Sequence, residues 1–454
     1  MIKCPNCGGV LRYNVTEKAV KCDHCGSKFN PEEQIAPTKK AGEEKGLNGK
    51  VYSCSQCGAN LMTFDETAIT FCSYCGSQAM IESKMMVDTN PDFIIPFAKS
   101  KEECIETFKK KVNKSLFTPN YMKSDIVLEK FRGIYMPYCI YKLGYTGVNK
   151  VDGEKYSHRS GDYQYYNDYE LDFNVDANYE GFSYDLVSKL YDRYSNAIPF
   201  NEEEKIPFNP NYMLGYYADT KDVNGEVYLN EAIEEAREDY QKKIMGTKEA
   251  IKYNCKTPSI NFDQVEQKIG MFPLYFLAIR SKNQKSINYA VVNGQTGELV
   301  TELPVSHTKY IVASIILSVI DFILINSYLV LTPKQVCFAA IILAIISLGI
   351  DFIQMISLNN RETHDDDMGL KSVNPDKKSG KVFNVLGVLI AFMAGLIPVL
   401  ILALNPVGDI YYYSAVVGSL ALVLVNFLTI IKKHNELVSS KLPQLEKRGG
   451  DESA

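Results

Sequence analysis

The sequence predicts a multidomain chain: two small all-β modules at the N-terminus, an α+β domain after them, and a C-terminal four-helix transmembrane unit. Three observations carry that prediction. Four CxxC pairs stand in a duplicated arrangement, residues 90–309 mix strand and helix periodicities, and four apolar runs of about 20 residues follow them. Each pattern asks for a different kind of core, so the 454 residues divide into several domains.

The first module, residues 1–30, holds Cys4 and Cys7 with Cys22 and Cys25; the second, residues 51–80, holds Cys54 and Cys57 with Cys72 and Cys75. Fourteen residues separate the pairs in each module, and every cysteine recurs fifty positions later. Four thiolates complete a tetrahedral Zn²⁺ shell, and C-x₂-C–loop–C-x₂-C is how a zinc ribbon supplies them. Gly8, Gly26, Gly58 and Gly76 follow the pairs, where the sharp knuckle turn favours positive φ. The stretches VLRYNVTEKAVKC and NLMTFDETAITFC read as strand–turn–strand. A redox role for CxxC fits poorly, because no βαβ pattern surrounds these pairs. His24 lies inside a knuckle whose ligand set is already complete, and reads as a bystander.

Two structural zinc ions are therefore expected, each closed by four protein ligands with no position left for substrate. Modules of roughly 30 residues bury too little to fold alone, and the metal supplies the missing energy. Residues 31–50, polar and rich in mixed charge, read as a flexible linker. Paired thiols behind an N-terminus without an apolar signal run point to a reducing compartment. Cys104, Cys139, Cys255 and Cys337 lie in apolar surroundings and read as small core or lipid-facing residues.

In the middle domain, residues 90–309, FIIPF reads as a strand, and Ser100 with Glu103 forms a capping box for a helix carrying Ile105, Phe108 and Val112. FRGIYMPYCIYKLGYTG reads as an apolar strand pair, and EKYSHRSGDYQYYND around His158 as an exposed aromatic hairpin. Residues 224–253 read as one long charged helix. YAVVNGQTGELVTELP reads as a hairpin whose turn residues Asn293, Gly294 and Gly297 suit positive φ. No phosphate loop, HExxH or GxSxG occurs, and the five histidines are scattered, so no enzyme is expected.

The apolar runs cover about 310–331, 336–358, 382–404 and 410–431, with Pro398 in the third and Tyr411–Tyr413 as an interfacial anchor. Lys309, the loop between the second and third runs, and the tail 432–454 carry the basic residues, against Lys334 alone on the other side. The positive-inside rule then places both termini in the cytoplasm of a multi-pass inner-membrane protein. Asp321 and Asp351 each sit in an -IDFI- setting at similar expected depth, with no Lys or Arg inside the four spans to pair with them. Helix packing, a partner subunit or ion passage would each explain two such carboxylates.

The ribbon motif, FIIPF-x₆-C-x₃-F, FRGIYMPYCIYKLGYTG and FPLYFLAIR…YAVVNGQTGELVTELPV occur in that order over roughly residues 50–310. In this the chain resembles bacterial membrane proteins labelled transcription-factor-IIB-type zinc-ribbon-containing, some of them misnamed primosomal or replication-restart helicase-like. Tyr138-Cys139 and Leu274-Tyr275 stand where that family often carries Trp, and no helicase motor is present. The resemblance implies an anchoring role near membrane-stress proteins. The expected function is a cytoplasm-facing membrane scaffold that recruits a cytosolic or membrane protein, with oligomer contacts through its helices. A membrane-tethered nucleic-acid binder is a rival, which the net charge of -5 and the lack of a basic stripe disfavour. A transporter or channel accessory using Asp321 and Asp351 is another.

Overall fold

The computed structural model describes residues 2–33, 49–64, 69–83, 91–281, 286–328, 331–360 and 385–441 of the chain. Most of the expected linker 31–50 lies outside the described residues.

Strands β1 (Leu11–Asn14), β2 (Ala19–Cys22) and β3 (Lys28–Phe29) form a sheet of their own around the first cysteine set. β1 alternates buried and exposed residues, as a strand with one covered face should. The second set behaves differently. Its strands β4 (Lys50–Cys54), β5 (Asn60–Thr63) and β6 (Met80–Ser83) are the far end of a 12-stranded sheet. β5 is buried along Leu61, Met62 and Thr63, without alternation, because the sheet continues past it. The second ribbon is thus built into the middle domain and not a free module beside it.

The rest of that sheet comes from β7 (Phe93–Ile94), β8 (Arg132–Ser160), β9 (Tyr163–Asp185), β10 (Ile206–Pro207), β11 (Tyr217–Asp219), β12 (Gln264–Arg280), β13 (Ser286–Asn293), β14 (Leu299–Thr301) and β15 (Ser440–Lys441). β11 is the splice: it runs antiparallel to β5 and parallel to β8. FRGIYMPYCIYKLGYTG, expected as a strand pair, is the first part of the single 29-residue strand β8. Its partner β9 returns from a turn at Gly161, where φ is +63°. The expected aromatic hairpin is the tip of this arm. Tyr163, Tyr165 and Tyr166 are exposed there, and the His158 ring stacks on Tyr165 at 4.7 Å.

Helix α1 (Lys101–Lys114) starts on the expected box: Glu103 N–H donates to Ser100 Oγ, and Ser100 N–H to the Glu103 carboxylate. It buries Cys104, Phe108 and Val112, one turn apart, while Ile105 is half-buried. Short helices α2 (Asp125–Leu128) and α3 (Asp192–Ser195) follow. The helix expected over 224–253 is broken into α4 (Leu229–Met245) and α5 (Lys248–Lys252), because Gly246 ends the first and Thr247 caps the second through Ala250 N–H. In the hairpin after β13 only Gly297 has positive φ, at +81°. Gly294 is needed for space instead: a Cβ there would lie 2.4 Å from the Phe97 ring. Asn293 accepts from the N–H groups of Gln295 and Thr296 through its side chain.

The C-terminal helices are α6 (His307–Tyr328), α7 (Pro333–Asn360), α8 (Val385–Leu404) and α9 (Asp409–Leu437). Among the described residues three of them, α7, α8 and α9, are long and apolar enough to cross a membrane. They pack on one another and turn Ile345, Phe352, Phe392 and Leu424 outward, as lipid-facing helices do. The fourth expected crossing falls on α6, which is helical but is not among those three. Pro398 lies inside α8 as expected. Of the three expected anchor tyrosines, Tyr411 and Tyr413 are exposed, whereas Tyr412 is buried and donates to Asn405.

The end of α9 is tied to the sheet. β15, just past α9, pairs with β13, and Asn288 Nδ2 donates to the Val438 carbonyl at 2.9 Å. Asn435 in α9 bonds both backbone groups of Val305 at 2.7 and 2.9 Å.

Candidate metal centres

Each cysteine knuckle has the same backbone wiring, which explains why the motif repeats so strictly. In the first, Gly8 N–H donates to the Cys4 carbonyl at 2.8 Å and Cys4 N–H to Gly9 at 2.9 Å. The pairs Gly26/Cys22, Gly58/Cys54 and Gly76/Cys72 copy the first of these bonds at 2.8–3.0 Å. That turn needs the left-handed conformation, and the four glycines have φ between +67° and +73°. Gly9 is small for another reason: a Cβ there would sit 3.1 and 3.2 Å from the sulfurs of Cys22 and Cys7.

The knuckles bring the sulfurs together in two tetrads, each with its ligand atoms within 4.8 Å of one another. Cys4 and Cys25 approach to 3.7 Å, Cys7 and Cys22 to 3.4 Å, Cys54 and Cys75 to 3.7 Å, and Cys57 and Cys72 to 3.6 Å. A tetrahedron with metal–sulfur bonds of about 2.3 Å has edges of about 3.8 Å. The donor sets therefore fit one tetrahedral metal ion each. His24 belongs to neither tetrad. Hydrogen bonding with Cys57 pushes the Cys54 thiol down, while hydrogen bonding with Cys54 pushes Cys72 up. Cys25 is lowered to about 6, first by its bond with the Ser27 hydroxyl.

The tetrads differ in surroundings. All four cysteines of the second are buried; in the first, Cys7 and Cys25 are exposed. The second knuckle pair is also gripped from outside. Arg280 Nε donates to the Cys75 carbonyl at 2.5 Å, Tyr289 donates to the Tyr74 carbonyl at 3.0 Å, and Tyr74 donates to Asp219. Asp219 is pushed well above the usual carboxylate range by burial, and Asp185, also buried, is pushed up to about 7. Asp222 adds to both shifts by like-charge repulsion. None of this carboxylate group was visible in the sequence, since its members are assembled by β9, β11 and the loop after β11.

The two aspartates of the apolar region are not brought together. Asp321 is exposed on α6, whereas Asp351 is fully buried between α7 and α9. Contrary to the expectation that no Lys or Arg of the four helices could serve, Lys433 Nζ lies 2.5 Å from Asp351 Oδ1, with both side chains buried. α9 continues past residue 431, so Lys433 belongs to the helix and not to a tail. Asn426 Nδ2 donates to Asp351 Oδ2 at 2.5 Å and to Ser347 Oγ at 2.6 Å. The signal was there to be read: Ser347 and Asp351 are one turn apart, Asn426 and Lys433 two turns apart, so each pair lies along one helix face.

A Bacillus subtilis (strain 168) protein described as "Uncharacterized protein YdjG" is 27% identical over 316 residues, covering 68% of this chain and 91% of its own length. No protein-family model and no solved structure matches the chain.

Proposed function

We propose that the protein is a membrane-anchored adaptor without catalytic activity, in which two Zn²⁺ ions staple the domain that meets a protein partner. The carrying observation is that one hydrogen-bonded sheet runs from the second cysteine centre, through β11, β8, β12 and β13, to the end of the last apolar helix. Whatever engages this sheet, at the ribbon end or on the β8–β9 arm, is thereby fixed to the bundle. Zinc is the metal of choice because four thiolates in a closed tetrahedron suit it, and such closed sites hold shape and leave no open position for chemistry.

The same sheet supports the proposed topology. β15 pairs with β13 of the domain that precedes α6, which favours an even number of crossings between them, with both on one side of the membrane. Counting α6 as a fourth crossing beside the three apolar helices fits this, and the basic loop and tail favour the cytoplasm as that side. The likeness to the transcription-factor-IIB-type zinc-ribbon-containing membrane proteins and a role in membrane stress are parts of the same proposal. Ion passage is disfavoured, because the Lys433 ammonium already occupies the position a cation would take at Asp351.

The test uses the full chain purified from membranes in detergent and a photocrosslinker at Tyr165, at the end of the arm. Two zinc per chain and one discrete protein adduct, lost when Tyr163 and Tyr166 are changed to Ser, are expected. Absence of metal, or adducts with nucleic acid alone, would overturn the reading.

A further inference from the structure

We infer that the first cysteine centre is an oxidation site for peroxides, at which a Cys7–Cys22 disulfide forms and its metal leaves, while the second centre keeps its own. This rests on the reading that both tetrads hold zinc. The two centres have the same ligands, spacing and knuckle wiring, so intrinsic thiolate chemistry does not separate them. Access does. Cys7 and Cys25 are exposed, whereas Cys54, Cys57, Cys72 and Cys75 are all buried. Oxidation of thiolates follows exposure as well as thiolate character.

Support around the centres differs in the same sense. β4 and β5, which carry the second centre, are paired into the 12-stranded sheet, and Arg280 and Tyr289 clamp the Tyr74–Cys75 backbone. The first centre lies in a separate three-stranded sheet, whose Leu11, Tyr13 and Val20 pack against the middle domain but whose strands pair with none of its strands. That ribbon rests on the segment before β11 through the Tyr13 N–H bond to Leu214 at 2.9 Å, the Tyr13 and Tyr212 rings at 5.1 Å, and Asn209 and Asn211 donating to the Pro31 carbonyl. Loss of its metal can therefore unfold residues 2–33 locally without breaking a strand of the large sheet.

Cys7 and Cys22 come from opposite knuckles, and their sulfurs, 3.4 Å apart, are the closest of the four hydrogen-bonded pairs. The exposed Cys7 thiolate attacks one peroxide oxygen; an S–O bond forms, the O–O bond breaks, and the leaving hydroxide takes a proton to give water. Cys22 thiolate then attacks the Cys7 sulfur, the S–S bond forms, and the sulfenic oxygen leaves as a second water after taking a proton. Two thiolates are oxidised by two electrons and one peroxide is reduced. Cys4 and Cys25 alone would then remain as ligands, too few to hold the metal that the four cysteines would bind.

The full chain, purified anaerobically in detergent, is first assayed for bound zinc; two per chain is the premise, and a metal-free protein would overturn the premise and this inference together. Hydrogen peroxide is then added with a zinc-chelating dye present. One zinc per chain should be released at least about tenfold faster than the other, the margin set by exposure of the attacking thiolate. Mass spectrometry at the end of the fast phase should find the Cys7–Cys22 disulfide and unmodified Cys54, Cys57, Cys72 and Cys75. Protease sensitivity should rise within residues 2–33 and not within 49–83, and thiol reductant with added zinc should reverse it. Equal release of both ions, release from the second centre first, or no release with two zinc bound would each refute the inference while leaving the metal reading intact.

Discussion

Replacing Lys433 with Met removes the ammonium that faces Asp351 and keeps most of the side-chain volume. Both groups are buried and bonded at 2.5 Å, so the variant leaves a carboxylate in the bundle with Asn426 as its remaining described donor. Breaking a buried pair from one side costs about 3–5 kcal/mol. At 1.4 kcal/mol per decade, 3 kcal/mol corresponds to about a hundredfold shift toward the unfolded state. Denaturant unfolding of the full chain in detergent, followed by protection of a bundle cysteine such as Cys337, measures the change; Cys337 is buried against α9 and donates to the Tyr412 carbonyl. The double variant Asp351→Leu with Lys433→Met replaces the pair by apolar groups and should recover to within about 1 kcal/mol of the native protein. A loss below about 1 kcal/mol in the single variant, or a double variant no better than the single, would show that the pair does not organise the bundle.

Gly387→Ala should also destabilise the bundle, by about 1–3 kcal/mol, because its Cβ would stand 3.2 Å from oxygens of Asp351, Asn426 and Thr429; the same unfolding measurement reads it. Asp185 makes stability depend on pH with a definite sign. Its folded pKa, about 7, lies above the ordinary 3.8, so the folded state binds the proton more tightly, and this contribution is full below pH 4 and lost as pH rises toward 7. The loss amounts to about 4 kcal/mol for this fully buried group, and Asp185→Asn should flatten the decline in unfolding free energy between pH 5 and 7; an unchanged slope would refute the assignment. Cys57→Ser should disrupt the large sheet and lower the yield of folded chain, whereas Cys4→Ser should remove one metal and loosen residues 2–33 only, as circular dichroism and metal content of the two variants would show. Gly294→Ala should cost about 1–3 kcal/mol by driving its Cβ into the Phe97 ring, measurable as a lower melting temperature.

The features legible in the sequence are those whose cause is local. Cysteine spacing, the glycines after each pair, the Ser100 box and the length of the apolar runs all act within a few residues, so each element appears where the pattern places it. Gly246 and Thr247, which divide the helix expected over 224–253, were equally local signals that the overall charge pattern obscured.

What the sequence by itself determined was the chemistry: eight cysteines arranged as two tetrahedral donor sets, and a C-terminal region too apolar to face water. Only the tertiary structure decided how these parts are joined. The β5–β11 pairing that merges the second ribbon with the domain links residues more than 150 positions apart, and backbone hydrogen bonds between strands carry no side-chain code for the partner. The same holds for Lys433 against Asp351, for Tyr74 against Asp219, and for the exposure of Cys7 and Cys25 beside the burial of their counterparts Cys57 and Cys75. A thiol's spacing is written in the chain, but its access to solvent depends on what the rest of the fold lays over it.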